Sequence, residues 1–231
     1  MKFSIIFEFQ CDDVSLEGER ETLMNCVEQA VFAEEKGFDR IWAVEHHGLK
    51  HYAHMSAPEI FLTWVAAKTS TIRIGHGVVC MPFGYNHPLR VAERVAMLDS
   101  LSGGRLDVGA GRGATAMEMS GFGVDRDDTY PQVKESLQIL SQCWENETFE
   151  WNGSIAISER SVIPRPIQLP HPPLFMACTK DDTVRLAAEY GLGALVLGFS
   201  GPSQVAELRK IYDNAIASRS DSDCISKTPT N

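Results

Sequence analysis

Short apolar runs alternate with helix-period stretches along this chain, and no other feature limits its fold so sharply. The runs at 3–7, 39–44, 72–81 and 105–111 each read as a buried strand. Between and after them lie helical patterns at 22–36, 57–69, 88–101 and 131–144. In the first, Leu23, Val27, Ala30, Val31 and Ala33 form one apolar stripe, and Gly37 suits the helix C-terminus. Pro58 suits the first turn of the second. A strand–helix repeat of about 30 residues is the rhythm of parallel βα units. A doubly wound sheet and a (β/α)8 barrel both satisfy it.

The segment 149–173 interrupts the rhythm. Aromatic and β-branched residues lead into Pro164, Pro166, Pro170, Pro172 and Pro173, a pattern that predicts a hairpin and then an extended loop. The alternation resumes with a strand at 174–178, a helix at 182–190, a strand at 193–198 and a helix at 202–218. About six βα units result, whereas a closed barrel has eight in about 250 residues. The expected fold is therefore α/β, of the (β/α)8 TIM-barrel type but incomplete, spanning 1–218. The polar, aperiodic stretch 219–231 is expected to be a disordered tail.

Composition narrows the partners. A formal charge of -10 and a pI near 5.2 argue against a general binder of nucleic acid or of anionic membranes, which needs a basic face. Cys11, Cys26, Cys80, Cys143, Cys178 and Cys224 are scattered, with no C-x-x-C pair, and read as reduced thiols of a cytoplasmic protein. The N-terminal apolar run is too short for a signal peptide, and no stretch reaches the roughly 18 apolar residues of a membrane span.

In a parallel barrel, chemistry collects at the C-terminal ends of the strands. Glu45, His46 and His47 follow the second strand, His76 and Gly77 lie in the third, "GAGRGAT" (109–115) follows the fourth, and "CTKDDT" (178–183) follows the fifth. Each has a purely structural reading. Adjacent histidines at a strand end point to opposite faces, so one of the pair at most faces a pocket. His47, His51 and His54 have helical spacing for a metal, but Gly48 intervenes and no carboxylate recurs at matching spacing, so no metal site is expected. "GAGRG" suits a tight turn, and Thr and Asp in "CTKDDT" suit a helix N-cap.

At these residues the chain resembles the bacterial luciferase-like family of flavin-dependent monooxygenases. The resemblance rests on "AVEHHG", on the long block "IRIGHGVVCMPFGYNHPLRVAERVAMLDSLSGGRLDVGAGRG", on "GFGVD", "ESLQILSQCW" and "WNG", and on "PRPIQLPHPPLFMA" and "LAAEYGLGAL". Order and spacing agree over roughly 1–216. It implies a (β/α)8 barrel that binds reduced FMN supplied by a separate flavin reductase. With O2, such a protein oxygenates a small organic substrate such as an aldehyde. A sister branch uses a deazaflavin. A homo- or heterodimer is expected, with neither nucleic acid nor membrane as partner.

The resemblance also assigns residues. His46 matches the active-site histidine, and imidazole is the side chain that takes and returns a proton near neutrality. Glu45 is the second catalytic candidate, orienting the histidines or closing the site from below. Arg112 is the expected phosphate contact, because a guanidinium grips phosphate in two places. Cys178, Thr179 and Thr183 would share that anion at a helix start. Gly77 and Val78 match the place where relatives hold a non-proline cis peptide under the flavin ring.

Three features depart from the family pattern. Gly111 stands where luciferase itself has a reactive cysteine, which argues against light emission. Asp181 and Asp182 lie near the expected phosphate and would repel it unless turned away, an effect that Lys180 partly offsets. The two closing βα units have no counterpart, leaving an open sheet edge. The alternative functions are thus a non-catalytic flavin-binding or subunit-like fragment, or a deazaflavin-dependent oxidoreductase of the sister branch. A metal-dependent barrel hydrolase is a more distant one.

Overall fold

The computed structural model describes residues 2–198 and 201–228. In chain order the elements are β1 (Ser4–Phe7), α1 (Leu16–Glu35), β2 (Arg40–Ala43), α2 (Pro58–Lys68), β3 (Arg73–Cys80), α3 (Pro88–Leu101) and β4 (Leu106–Gly111). Next come α4 (Ala116–Gly121), α5 (Thr129–Glu145), β5 (Phe149–Asn152), β6 (Ala156–Arg160), β7 (Leu174–Cys178), α6 (Asp181–Glu189), β8 (Gly193–Val196) and α7 (Pro202–Ser218). Six strands form one parallel sheet in the order β1-β2-β3-β4-β7-β8, and β5 and β6 form a separate antiparallel hairpin. The sheet curls into a half-barrel with the helices outside. The expected α/β architecture is thus present, interrupted by a hairpin where the proline-rich excursion begins.

Alternation along the strands explains the two faces. Ile41, Ala43, Ile74, Leu106, Val108, Leu174 and Met176 are buried in the main apolar core. Full burial of one such large side chain is worth roughly 1.5–3 kcal/mol. The inner face pairs large residues with glycines. Trp42 meets Phe175 edge to face at 5.1 Å between ring centroids. A Cβ on Gly75 would lie 2.4 Å from the Trp42 ring, and one on Gly193 would lie 2.2 Å from Phe175. Below the rings, buried Asp107 pairs with Arg40 (2.6 Å) and Arg73 (2.6 Å).

Much of the long middle block serves this frame. The Arg105 guanidinium donates to the carbonyls of Ala66, Thr69 and Ile72 and to the Thr69 hydroxyl, tying the end of α2 to β3 and β4. The Asp99 carboxylate accepts from Ile167 N (2.8 Å), Gln168 N (3.0 Å) and Gln168 Nε2 (2.7 Å), anchoring the proline-rich segment on α3. That segment contains cis Ile163–Pro164 and Leu169–Pro170 bonds.

Three elements differ from expectation. Helix α1 starts at Leu16 rather than 22, because Ser15 caps it: its hydroxyl accepts from Gly18 N at 3.1 Å. That first turn is polar, so an apolar stripe does not reveal it. Helix α4 was not expected at all. The tail expected to be disordered from 219 instead returns to the body. It makes a 3-10 turn at Asp221–Asp223, and Tyr190 O accepts from Ile225 N and Ser226 N. His171 Nε2 then accepts from Lys227 N (3.0 Å). Burial of Ile225 and these backbone partners outweigh the polar composition. Residues 229–231 lie outside the described residues.

Among the described residues, no helix is long and apolar enough to cross a membrane. All six cysteines are free thiols.

Candidate active site

The turn after β2 carries two carboxylate–imidazole pairs. Glu45 is buried, and its carboxylate accepts from Cys80 N on β3 (2.6 Å) and from Asn86 Nδ2 (3.0 Å). It lies 3.1 Å from His47 Nε2. Asn86 continues the network through its Oδ1, which accepts from Arg94 (2.6 Å), and Arg94 pairs with Glu59. Glu45 therefore ties the end of β2 to the end of β3 and orients His47 rather than His46. The His47 ring stacks on Tyr85 (5.7 Å, 19°) and packs against Phe122 (4.5 Å).

His46 is held from another element. Its Nδ1 lies 2.9 Å from Glu118 Oε1, which also accepts from His47 N at 3.0 Å. The other Glu118 oxygen accepts from Thr115 N (3.0 Å) and Thr115 Oγ1 (2.8 Å). Thr115 in turn caps Glu118 N at 3.2 Å, which makes residues 115–118 a capping box at the start of α4. Burial pushes the Glu118 carboxyl upward, but hydrogen bonds from His46, His47 N and Thr115 outweigh it. The net effect places the group below the ordinary carboxylate range. His46 Nε2 has no protein hydrogen-bond partner among the described residues and is not a buried orphan, so it reaches solvent. Tyr52 packs edge-on to the ring at 5.7 Å.

Glu118 was missed in the sequence. Its signal was the T-x-x-E spacing of Thr115 and Glu118, which by itself announces only a helix start. His51 and His54 take no part. His54 lies against Lys50 O (2.6 Å) and Glu19 (3.2 Å). Among the described residues, no group of three or more His, Cys, Asp or Glu side chains converges to hold a metal ion.

The Gly77–Val78 peptide is cis. The register between β3 and β4 shifts at this point, between His76 and Val79. A Cβ on Gly77 would lie 2.8 Å from Trp42 Cβ, and one on Gly111 would lie 2.2 Å from Val78 Cγ2. A thiol side chain at 111 thus has no room while Val78 keeps its place.

Arg112 follows β4 directly. Its guanidinium sits 4.8 Å over the Tyr130 ring and makes no ion pair or hydrogen bond among the described residues. Next along the sheet, the Thr183 hydroxyl accepts from Thr179 N and Lys180 N (3.1 Å each) and donates to Lys180 O (2.7 Å). Thr179, Asp181 and Asp182 are exposed. The Cys178 thiol is buried against Met176 O and Thr183 O (3.3 Å each), and burial pushes it up to about 12. The structure thus brings Glu45, His46 and His47 together with Glu118. Arg112 stands at the end of β4, two strands along the sheet from β2, and Thr183 is occupied in shaping its own turn.

Three comparisons relate the chain to known proteins. The family model for luciferase-like monooxygenases matches residues 1–225. The oxygenase component of the flavin-dependent trigonelline monooxygenase of Acinetobacter baylyi (strain ATCC 33305 / BD413 / ADP1) is 28% identical over 193 residues, covering 82% of this chain and 52% of that protein. Monooxygenase RslO1 from Streptomyces bottropensis superposes with a TM-score of 0.84 at 28% identity, over 94% of this chain and 66% of that one. The oxygenating constituent of 3,6-diketocamphane monooxygenase of Pseudomonas putida, solved with FMN, shares the fold: TM-score 0.81, 21% identity, 94% of this chain and 62% of that one. The chain spans about half the length of the curated relatives it matches. Since the family match runs through every strand and both carboxylate–imidazole pairs, the chain belongs to the luciferase-like monooxygenase family.

Proposed function

We propose that this chain acts as a flavin-dependent monooxygenase that uses reduced FMN and O2 to oxygenate a small organic substrate such as an aldehyde. The observation that carries this reading is His46: Glu118 grips its Nδ1 while its Nε2 is open at the strand-end rim. In this role His46 Nε2 accepts and returns a proton at the reacting oxygen. Glu45 supports the site by fixing His47 and the end of β3.

The donors present suit a flavin phosphate. Arg112 has no anionic partner, and the first-turn N–H groups of α6 at Asp181 and Asp182 are left over, as at any helix start. Arg112 would hold the phosphate, with the backbone from Cys178 through Thr183 beside it. The Thr183 hydroxyl contributes by shaping the loop, since its bonds are already made. Gly77 and Val78 would lie under the ring system, where no side chain projects from Gly77. When bound, reduced flavin supplies the electrons that activate O2. A separate reductase would deliver it, as the "oxygenase component" of the relative's name suggests. A homo- or heterodimer is the proposed working assembly.

Anaerobic calorimetric titration with reduced and oxidised FMN, followed by turnover under labelled O2, tests this. Saturable binding and label in the product are expected. Absence of flavin binding in both redox states would overturn it. A non-catalytic flavin-binding role is the second reading, favoured by edge residues such as Ile6 (48% exposed) and Leu197 (46% exposed). It predicts binding without turnover.

A further inference from the structure

We propose that Glu118 is a positioning residue that holds His46 in its Nδ1–H tautomer and so makes Nε2 the nitrogen that works on the ligand. This rests on the reading of His46 as the proton-handling group. Four polar groups converge on one carboxylate. His46 Nδ1, His47 N, Thr115 N and Thr115 Oγ1 all point at Glu118, at 2.8 to 3.0 Å. Two backbone N–H groups can only donate, so the carboxylate must present acceptors on both sides. An ionised carboxylate accepts only, which obliges His46 Nδ1 to be the donor.

The neutral ring then carries its lone pair on Nε2, the nitrogen without a protein partner. The clamp is rigid because it is built into a helix start. Thr115 Oγ1 both donates to Glu118 Oε2 and accepts from Glu118 N, so the carboxylate cannot swing away without uncapping α4. Glu118 meets the ring at Nδ1 and acts through the imidazole, in the manner of carboxylates that orient a working histidine from behind.

Glu118→Gln separates this role from simple packing. An amide has one acceptor and one donor end, and either orientation sets its NH2 against a backbone N–H. Facing His46, the NH2 would also turn Nδ1 into an acceptor and move the ring proton to Nε2. Long-range 15N–1H correlation spectra of the ring nitrogens report the tautomer without any flavin, with His46→Gln providing the assignment. At about pH 8, where imidazole is neutral, wild type is expected to show protonated Nδ1 and unprotonated Nε2. A protonated Nε2 in wild type overturns the proposal. In turnover, Glu118→Gln is expected to lower kcat by about 10- to 100-fold, with the FMN Kd and the substrate KM within about threefold. Unchanged kcat also overturns it, whereas a wild type without turnover overturns the monooxygenase reading and leaves the spectra to decide the tautomer. If Glu118→Gln fails to fold, Glu118→Asp serves. It keeps both acceptors at shorter reach and is expected to keep the wild-type tautomer with an intermediate kcat, and an Nε2–H ring in that variant counts against the clamp.

Discussion

Glu45 Oε1 stands 3.1 Å from His47 Nε2, and His46, one residue nearer in sequence, is gripped by a carboxylate 72 residues away. The two histidines thus take opposite sides of the chain and answer to different elements. Glu45 belongs to the joint between β2 and β3, where Cys80 N and Asn86 are its other partners.

Glu45→Ala removes the acceptor from one buried backbone N–H and from two side chains. An unsatisfied buried polar group costs about 1–3 kcal/mol, so a loss of about 2–4 kcal/mol is expected in urea unfolding. Glu45→Gln keeps one acceptor and should lose less. Equal stability of all three proteins would show that the network is dispensable.

His46 and Arg112 should separate cleanly. His46→Ala is expected to reduce kcat by about 10²- to 10⁴-fold and to leave the FMN Kd within about threefold. Arg112→Ala removes the free guanidinium and should weaken FMN by about 1.5–3 kcal/mol, read by calorimetry. The reverse pattern would refute the assignment of both residues.

Gly111 is fixed by volume. Because its added Cβ would lie 2.2 Å from Val78 Cγ2, Gly111→Cys should destabilise by about 1–3 kcal/mol through overpacking. Val78→Ala made with it should recover part of that loss. A double-mutant cycle gives the coupling, and additive effects would mean the two side chains do not meet.

Acid should weaken the fold through His76. It is buried with Nδ1 unpartnered, and burial lowers it from 6.5 to about 4. The unfolded chain therefore binds this proton first. The stabilisation is complete above pH 6.5 and is lost as pH falls toward 4, by up to about 3 kcal/mol. Denaturation midpoints across that range should fall for wild type and fall less for His76→Phe. His171, also lowered mainly by burial, adds to the same slope in both proteins.

The frame was legible because parallel strands packed beneath helices read as apolar runs with a helix after each. Ile41, Ile74, Leu106 and Leu174 were visible in this way. Prolines marked the excursion because none fits a central strand. The candidate site was only half legible. His46 and Arg112 stand at strand ends that the rhythm locates. Glu118 was hidden because its spacing to Thr115 has a complete local explanation, and the contact with His46 joins segments 72 residues apart. The tail was misread because polar composition does not report that Tyr190 O and His171 await its backbone.

The capping box at Thr115 and Glu118 has a consequence for sequence drift. A carboxylate that starts a helix and also grips a histidine is screened twice, once by folding and once by reactivity. A mutational scan that reads only protein abundance should therefore already mark position 118 as intolerant. Selection for a stable chain would preserve the carboxylate that grips His46 whether or not the chemistry proposed for that histidine is under selection.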